Sequence, residues 1–280
     1  MTLSVAIGGF GAIGRTVARR LDQGIDGLTL TAVAARDTGR SAAAMAGFAQ
    51  SVPVVPLAAL WEHADVVVEC APAAVLRELA EPALANGRIV MVLSCGALLD
   101  NFDLGDLARR NGGRILVPSG ALLGLDAVIA AAEGGITSVN MITRKPPQGL
   151  LGAPYLQAHD IDITGLAEPR RVFSGTAREA ARGFPANVNV AAALALAGIG
   201  PDRTTVEIWA DPTVTRNIHR IEVEAAAARL SMQVENVPSA ENPRTGRLTG
   251  TQHATQTIGP LDPSLPDRRR SVSCFTRRQP

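Results

Sequence analysis

Apolar runs alternate with amphipathic stretches along the first 120 residues of the chain. Short apolar runs that are typical of buried strands occupy residues 3–7, 28–34, 65–70, 88–93 and 114–117. Apolar positions at helical spacing predict helices over residues 12–21, 73–85 and 104–111, with Pro82 as a candidate kink. Strands and helices that alternate at this spacing predict an α/β fold with a doubly wound parallel sheet.

The pattern changes after about Gly120. Residues 136–143 and 204–210 alternate between polar and apolar, which is typical of strands with one solvent-exposed face. Residues 218–226 are a candidate further strand of the same sheet. Helices are predicted over residues 177–181 and 188–197. We therefore predict an N-terminal Rossmann domain over 1–120 and a smaller α/β domain with a mixed sheet over 121–258. The second domain would serve catalysis and dimerisation, and about 236–258 are candidates for packing back on the first. Residues 259–280, rich in Arg and Pro, are predicted to form a weakly ordered tail.

Composition narrows the class of protein. The chain is 46% hydrophobic and only 3% aromatic, so its core is aliphatic, as helix-covered parallel sheets prefer. A net charge of +1 argues against nucleic acid or an anionic membrane as the main partner. The three cysteines form no CxxC, the four histidines form no zinc signature, and neither a leader peptide nor a membrane-spanning run is visible. These features predict a cytoplasmic protein without a metal.

A glycine motif lies between the first strand and the first helix. Gly9-Phe10-Gly11-Ala12-Ile13-Gly14 is a GxGxxG sequence in the context that makes this motif informative. Gly9 would allow the tight turn, Gly11 would let a pyrophosphate approach, and Gly14 would let the helix pack on the strand. The helix N-terminus would offer its free N–H groups to the phosphates. The motif predicts a dinucleotide cofactor, and the alternative is a glycine turn without a ligand.

The end of the second strand bears on which dinucleotide binds. Sites specific for NAD usually place a carboxylate there, but this chain has Ala35 followed by Arg36. A guanidinium near that position favours a 2′-phosphate, so we predict NAD or NADP, with NADP or dual use preferred. The alternative is that Arg36 is a solvated loop residue and Asp37 binds the ribose.

Small residues follow the later strands of the predicted sheet. Ligands bind at the carboxyl edge of such sheets, so Cys70, Ala71, Ser94 and Gly96 are predicted to border the nicotinamide half of the cofactor. The alternative for each position is an ordinary tight turn. Cys70 and Cys95 have no activating partner in the sequence, and we interpret them as packing residues rather than nucleophiles.

Further motifs are more specific than the glycine loop. They are GGFGAIG (8–14), LSCGAL (93–98), SGA (119–121), GLD (124–126), TRKPP (143–147), FSGTAREA (173–180), FPANVNVAA (184–192), DP (211–212), NIH (217–219) and ENVPSAENP (235–243). In these segments the chain resembles the L-aspartate dehydrogenase family over about residues 3–250. It departs from the family at Ala35, at Gly246, where a small hydroxyl residue is more usual, and in its tail.

This resemblance implies a homodimeric enzyme that oxidises L-aspartate with NAD or NADP to iminoaspartate, which water hydrolyses to oxaloacetate and ammonia, or that runs the reverse amination. In some members of the family the iminoaspartate supplies NAD biosynthesis. The resemblance also implies that His219 is the active-site histidine and that Ala121 and Asn189 bind the cofactor.

The chemistry of such a reaction gives further candidates. Removing a proton from the α-amine needs a base with a pKa near the working pH, which suits His219, although a surface histidine is the alternative from position alone. A dicarboxylate substrate needs cations, so Lys145 and Arg144 are candidates, and a solvated basic loop is the alternative. Asn187 is predicted to cap the helix that follows it, with Asn189 as the cofactor contact.

Two other functions fit the same motifs. A reductase of this architecture could act on a different imine or on a semialdehyde. A protein that senses dinucleotides without turnover is the less favoured alternative, because it does not account for the motifs of the second domain.

Overall fold

The computed structural model of the chain describes residues 2–118, 122, 124–185 and 187–237. The chain divides into two compact units, of which the first ends at Pro118 and the second contains the described residues from 122 onward. Ala121, the segment 238–258 and the predicted tail 259–280 lie outside the described residues. Within the described part, no helix has both the length and the apolar character needed to cross a bilayer.

The first unit is built on a parallel sheet with the order β2-β1-β3-β4-β5. Its strands are β1 (Leu3–Gly8), β2 (Leu28–Ala34), β3 (Val66–Glu69), β4 (Ile89–Val92) and β5 (Arg114–Leu116). Residues 53–55 add a short parallel bridge outside β2, because the amides of Val33 and Val55 donate to the carbonyls of Pro53 (3.0 Å) and Val33 (2.8 Å). Counting this bridge, the order is that of a dinucleotide-binding sheet, which changes direction between β1 and β3.

Five α-helices accompany this sheet. They are α1 (Ala12–Asp22), α2 (Thr38–Ala44), α3 (Leu76–Ala85), α4 (Cys95–Leu98) and α5 (Asp103–Asn111), with 3-10 helices at Leu57–Glu62 and Ala73–Val75. The core is aliphatic, as the composition predicts, and Val5, Ile7, Val66 and Val68 are fully buried in it. The helix predicted over 73–85 begins with a 3-10 turn and contains Pro82 within its α-helical part. The predicted parallel α/β fold of this half is confirmed.

The second unit has a mixed sheet with the order β10-β9-β6-β8-β7. Its strands are β6 (Ile136–Lys145), β7 (Arg170–Thr176), β8 (Thr204–Ala210), β9 (Asn217–Ala225) and β10 (Arg229–Asn236), and its α-helices are α6 (Leu125–Glu133), α7 (Pro154–Ala158), α8 (Ala177–Gly183) and α9 (Asn189–Ala197). Strands β6 and β8 are parallel, whereas the other neighbouring pairs are antiparallel. The predicted mixed sheet is confirmed, although β7 and β10 were not among the predicted strands.

Alternate residues of β6 and β9 are buried, so one face of this sheet forms the core of the unit. Along most of its length that face is apolar, with Val139 and Met141 from β6 and Ile221 and Val223 from β9. At the end where β6 stops and β9 starts, the buried positions become polar. This change from apolar to polar side chains on a buried face locates the candidate site of the second unit.

Candidate active site

The glycine loop of the first unit has the geometry of a phosphate-binding turn. Gly9 has φ +100°, and a Cβ there would lie 2.6 Å from the carbonyl oxygen of Cys70, so both the backbone conformation and the space require glycine. A Cβ on Gly14 would collide with the carbonyl oxygen of Gly9, which keeps α1 close to β1. Gly11 immediately precedes α1 and has open space around it. No side chain caps the N-terminus of α1. These features fit a dinucleotide whose pyrophosphate lies on the first turn of α1.

Arg36 and Asp37, the two candidates for contact with the cofactor ribose, have different environments after β2. Arg36 is exposed just beyond the end of β2. Asp37 precedes α2 and its Oδ1 accepts the backbone N–H of Arg40 at 2.9 Å, so this carboxylate is the N-cap of α2. Asp37 therefore has a structural role at the start of α2, and Arg36 remains the predicted contact to the cofactor.

A buried carboxylate at the end of β3 was missing from the sequence-based candidates. Glu69 is fully buried and accepts four hydrogen bonds, from the amides of Ala71 (3.0 Å), Leu93 (3.1 Å) and Ser94 (2.8 Å) and from the hydroxyl of Ser94 (3.0 Å). Burial raises the pKa of Glu69, while these hydrogen bonds oppose that rise. The carboxylate therefore joins the loops after β3 and β4, which contain the predicted cofactor residues Cys70, Ala71 and Ser94.

The thiols of the two cysteines beside this carboxylate are weaker acids than an ordinary cysteine. Burial and the charge of Glu69 raise the pKa of the Cys70 thiol. The same two causes raise the pKa of the Cys95 thiol to about 12. Both thiols therefore stay protonated near neutral pH, which fits packing rather than nucleophilic roles. Gly96, another predicted cofactor residue, lies within α4, directly after Cys95.

In the second unit, a histidine and a threonine face each other across two strands. Thr143 of β6 and His219 of β9 are directly opposed, and Thr143 Oγ1 lies 3.1 Å from His219 Nδ1. His219 is only 4% exposed, so it is an interior residue and not the surface histidine that its position alone allowed. Burial and the nearby charge of Lys145 lower the pKa of His219 to about 3, so the imidazole is neutral at pH 7.

Lys145 ends β6 on the same buried face. It is the only lysine of the 280 residues, and it is 3% exposed. Its Nζ donates to Asn187 Oδ1 at 2.6 Å, and among the described residues no carboxylate lies within ion-pair distance of it. Burial lowers the pKa of Lys145 to about 8. A buried ammonium group whose protein partner is neutral attracts an anionic ligand.

Comparison with known proteins identifies the family. Residues 9–118 match the family model "Homoserine dehydrogenase, NAD binding domain", and residues 126–257 match "Aspartate dehydrogenase, C-terminal". An L-aspartate dehydrogenase from Bradyrhizobium diazoefficiens is 61% identical over 247 residues, which cover 88% of each chain. The chain belongs to the L-aspartate dehydrogenase family. The predicted family and the predicted nicotinamide-dependent dehydrogenase are thus confirmed.

A second relative agrees with this assignment, and a solved structure shares the fold. L-aspartate dehydrogenase 3 from Bordetella bronchiseptica is 58% identical over 248 residues, which cover 88% of this chain and 91% of that one. The crystal structure of aspartate dehydrogenase from Thermotoga maritima superposes with a TM-score of 0.69 at 22% identity and covers 95% of this chain and 99% of its own. This structural likeness concerns the fold alone.

Within the family motif TRKPP, the two basic residues have different environments. Lys145 belongs to the buried polar end of the sheet, whereas Arg144 lies on the opposite face, where it is partly exposed. Arg144 Nη1 donates to Asp211 Oδ2 at 3.1 Å, and its guanidinium lies 4.8 Å from the centre of the Trp209 ring. Arg144 therefore has its own carboxylate partner and is not brought together with His219. Of the two candidates, only Lys145 lies on the buried face of the sheet that carries His219.

The prediction that Asn187 caps the following helix is wrong. Helix α9 begins at Asn189 and has Val188 at its N-cap position, without a side-chain cap. The Asn187 side chain accepts from Lys145 instead, because the lysine is buried and needs an acceptor. Asn189 is exposed in the first turn of α9, which leaves its predicted cofactor role a prediction. The described residues contain no cluster of three potential metal ligands.

One family motif proves to be structural. Thr176, within FSGTAREA, is the N-cap of α8, and its side chain accepts the amide of Glu179 while the Glu179 carboxylate accepts the amide of Thr176 at 2.8 Å. This reciprocal capping box fixes the start of the helix. The motif therefore belongs to the fold of the second unit rather than to its polar cluster.

Proposed function

We propose that the chain catalyses NAD(P)-dependent oxidative deamination of L-aspartate to iminoaspartate, which is hydrolysed to oxaloacetate and ammonia. The observation that carries this proposal is the pairing of a neutral, buried His219 with a buried Lys145 that lacks a carboxylate partner among the described residues. A base and a cation on one face suit a substrate with an α-amine and carboxylates.

His219 is the proton acceptor in this proposal. Its Nδ1 lies 3.1 Å from Thr143 Oγ1. In the proposed tautomer Nδ1–H donates to this hydroxyl, so the lone pair of Nε2 is free to take a proton from the α-ammonium group of the substrate. Loss of that proton lets the nitrogen lone pair form the C=N bond as the hydride leaves Cα. A bound nicotinamide ring supplies the acceptor for that hydride. Once it has released that proton to solvent, the same imidazole assists the attack of water on the imine carbon.

Lys145 binds a substrate carboxylate and tunes the base. Its positive charge is one of the two causes of the low pKa of His219. A bound carboxylate compensates that charge, so it raises the pKa of both Lys145 and His219. The imidazole therefore becomes a stronger base when the substrate is present, which couples proton transfer to substrate binding.

The first unit binds the nicotinamide dinucleotide through the glycine loop and the loops after β3 and β4, and Ala121 and Asn189 are part of this proposed set. Arg36 supports use of NADP, or of both cofactors, because Asp37 is committed to capping α2. The homodimer that the family resemblance implies also belongs to the proposal, and a monomer in light scattering at assay concentrations would contradict it. A cytoplasmic location remains a prediction from the sequence.

A steady-state assay tests the reaction. We expect purified protein to reduce NADP or NAD in the presence of L-aspartate, and to consume the reduced cofactor when given oxaloacetate with ammonia. His219→Ala should lower kcat by roughly 100-fold or more, since general-base catalysis commonly contributes that much. His159→Ala is the matched control, because His159 is an exposed histidine that stacks on Tyr155.

The outcomes of this assay separate the alternatives. Turnover with another imine or a semialdehyde, but not with aspartate or oxaloacetate plus ammonia, would replace the substrate. Cofactor binding without turnover of any of these would favour a sensor. Full activity of His219→Ala would remove the proposed base.

A further inference from the structure

Asn217 has a buried side-chain amide that makes no hydrogen bond to any residue the structure describes. It is the first residue of β9 and is 2% exposed, and neither its Nδ2 nor its Oδ1 has a partner among the described residues. Buried polar side chains are almost always hydrogen-bonded, because leaving water without a replacement partner is costly. An amide with both of its polar atoms unpaired is therefore prepared for a ligand.

The position of Asn217 identifies the site to which it belongs. Side chains alternate along β9, so Asn217 and His219 are on the same buried face of the sheet. On the neighbouring strand, Arg144 is opposite Ile218, and the next residue, Lys145, adjoins Asn217 on that same face. The amide thus adjoins the proposed base along β9 and the buried ammonium across the strand pair.

A purely structural partner is not found where it is expected. Asn236 of β10 is directly opposite Asn217 and is also buried, so the two amides could form a cross-strand pair. Neither polar atom of the Asn217 side chain hydrogen-bonds to it. Two other polar pairs of this face are hydrogen-bonded, since Lys145 bonds Asn187 and His219 bonds Thr143. Beside these pairs, both polar atoms of the Asn217 side chain are buried without a partner in the part of the chain that the structure describes.

We infer that Asn217 is a further substrate-binding residue, whose Nδ2 donates to a carboxylate oxygen of the dicarboxylate held by Lys145 and whose Oδ1 accepts from the α-amino group. This inference rests on the proposed function. An amide supplies a donor and an acceptor in one fixed plane, which suits a substrate with a carboxylate beside an amine. The residue thereby selects amino dicarboxylates and orients the amine toward His219.

Two readouts with opposite signs test this role. Asn217→Leu removes the amide and keeps a side chain of similar size. If the amide serves the substrate, its removal lowers kcat/KM for L-aspartate by about 10-fold or more, mainly through KM, since one hydrogen bond to a charged group is worth that much. The same change leaves the melting temperature of the ligand-free protein equal or higher, because an unpaired buried amide is lost.

Asn217→Asp and Thr204→Val complete the set of variants. The aspartate keeps the shape but replaces the donor with a negative charge, so it should raise the KM for L-aspartate more than the leucine does. Thr204 is the matched control, because it is fully buried in β8 at the opposite end of the same sheet, with its hydroxyl bonded to Gly200. Thr204→Val should lower stability without changing the KM.

Succinate, a dicarboxylate without the amine, gives a readout that needs no turnover. Calorimetry should show that Asn217→Leu weakens succinate binding by about 10-fold or more while cofactor affinity is retained. Inactive wild-type protein with aspartate would overturn the proposed function, and succinate titration would then still decide the role of Asn217. The inference would be overturned if the variant bound succinate and aspartate as tightly as the wild type, or if the wild type did not bind succinate. It would also be overturned if the variant lost binding together with a lower melting temperature.

Discussion

Thr143 Oγ1 and His219 Nδ1 lie 3.1 Å apart across directly opposed positions of β6 and β9. The two side chains are buried, so the hydrogen bond holds the plane of the imidazole. The proposed base is the tautomer in which Nδ1–H donates to Thr143. The strand pairing of the second sheet thus sets the orientation of the proposed base. Orientation of the base depends on β-sheet register rather than on a flexible loop.

Replacing Thr143 by valine tests this orientation. Thr143→Val keeps the β-branched shape and removes the hydroxyl, so we expect kcat for aspartate oxidation to fall roughly 3- to 10-fold, as the loss of one hydrogen bond predicts. The KM should change less, because Lys145 remains. Thr137→Val is the control, since the exposed Thr137 bonds the Glu224 carbonyl at the other end of β6. A kcat equal to that of the wild type would show that Thr143 does not orient His219.

The single lysine makes a direct pKa measurement feasible. In protein labelled with ¹³C,¹⁵N-lysine, the side-chain signals come from Lys145 alone, and we expect them to titrate near pH 8 rather than near the ordinary 10.5. Saturating succinate should move this pKa upward, because a carboxylate favours the ammonium form. A titration near 10.5 in the ligand-free protein would mean that Lys145 is solvated, which contradicts its burial.

The same shift predicts how stability depends on pH. The folded-state pKa of Lys145 is lowered, so between about pH 8 and 10.5 the unfolded chain binds a proton that the folded protein does not. The free energy of unfolding therefore rises with pH across this window, by about 3 kcal/mol from this group. Denaturant titrations of Lys145→Met should lack this increment. Equal pH slopes for the variant and the wild type would contradict the prediction.

The sequence predicted the first unit well because its signals are local. The glycine spacing of 9–14 and the apolar runs of β1 to β5 each depend on neighbours in the chain. In the second unit, β7 begins with Arg170 and β10 with Arg229, and both strands carry too many polar residues for a strong apolar signal. Their pairing with β8 and β9 is a tertiary interaction that local patterns do not reveal.

Only part of the candidate site was predicted from the sequence, because contacts between distant positions leave no local pattern. His219 and Lys145 were identified from motifs, but the partners Thr143 and Asn187 come from distant positions, and burial alone separates Lys145 from Arg144. Glu69 had no sequence signal beyond its place at the end of an apolar strand. A charged residue that ends such a run is the feature that could have indicated it.

Arg36 gives a prediction for cofactor choice. If its guanidinium binds the 2′-phosphate, Arg36→Ala should lower kcat/KM for NADP by about 10-fold while kcat/KM for NAD changes little. Ala35→Asp should shift preference toward NAD, because a carboxylate there accepts from the ribose hydroxyls and repels the phosphate. Arg40→Ala, in the exposed part of α2, is the control. Equal losses for both cofactors in Arg36→Ala would contradict a role in phosphate recognition.

Glu69 should be needed for the cofactor loops rather than only for the fold. In Glu69→Gln one carboxylate oxygen becomes an NH₂ group that cannot accept a hydrogen bond, so at least one of the buried backbone N–H donors that face the carboxylate is left unpaired. We expect the free energy of unfolding to fall by about 1–3 kcal/mol. Because Ala71 adjoins Gly9, we also expect cofactor dissociation constants to rise roughly 10-fold, about 1.4 kcal/mol.

Glu81→Gln is the matched control for this change. Glu81 is an exposed residue of α3 whose ion pair with Arg77 spans 3.3 Å, so its replacement should cost no more than about 0.5 kcal/mol. Denaturant unfolding gives the stability of each variant, and fluorescence titration with NADPH gives the cofactor affinity. A stability loss in Glu69→Gln with unchanged cofactor affinity would restrict Glu69 to the fold. Unchanged stability and unchanged affinity would show that the loops after β3 and β4 hold their conformation without the carboxylate.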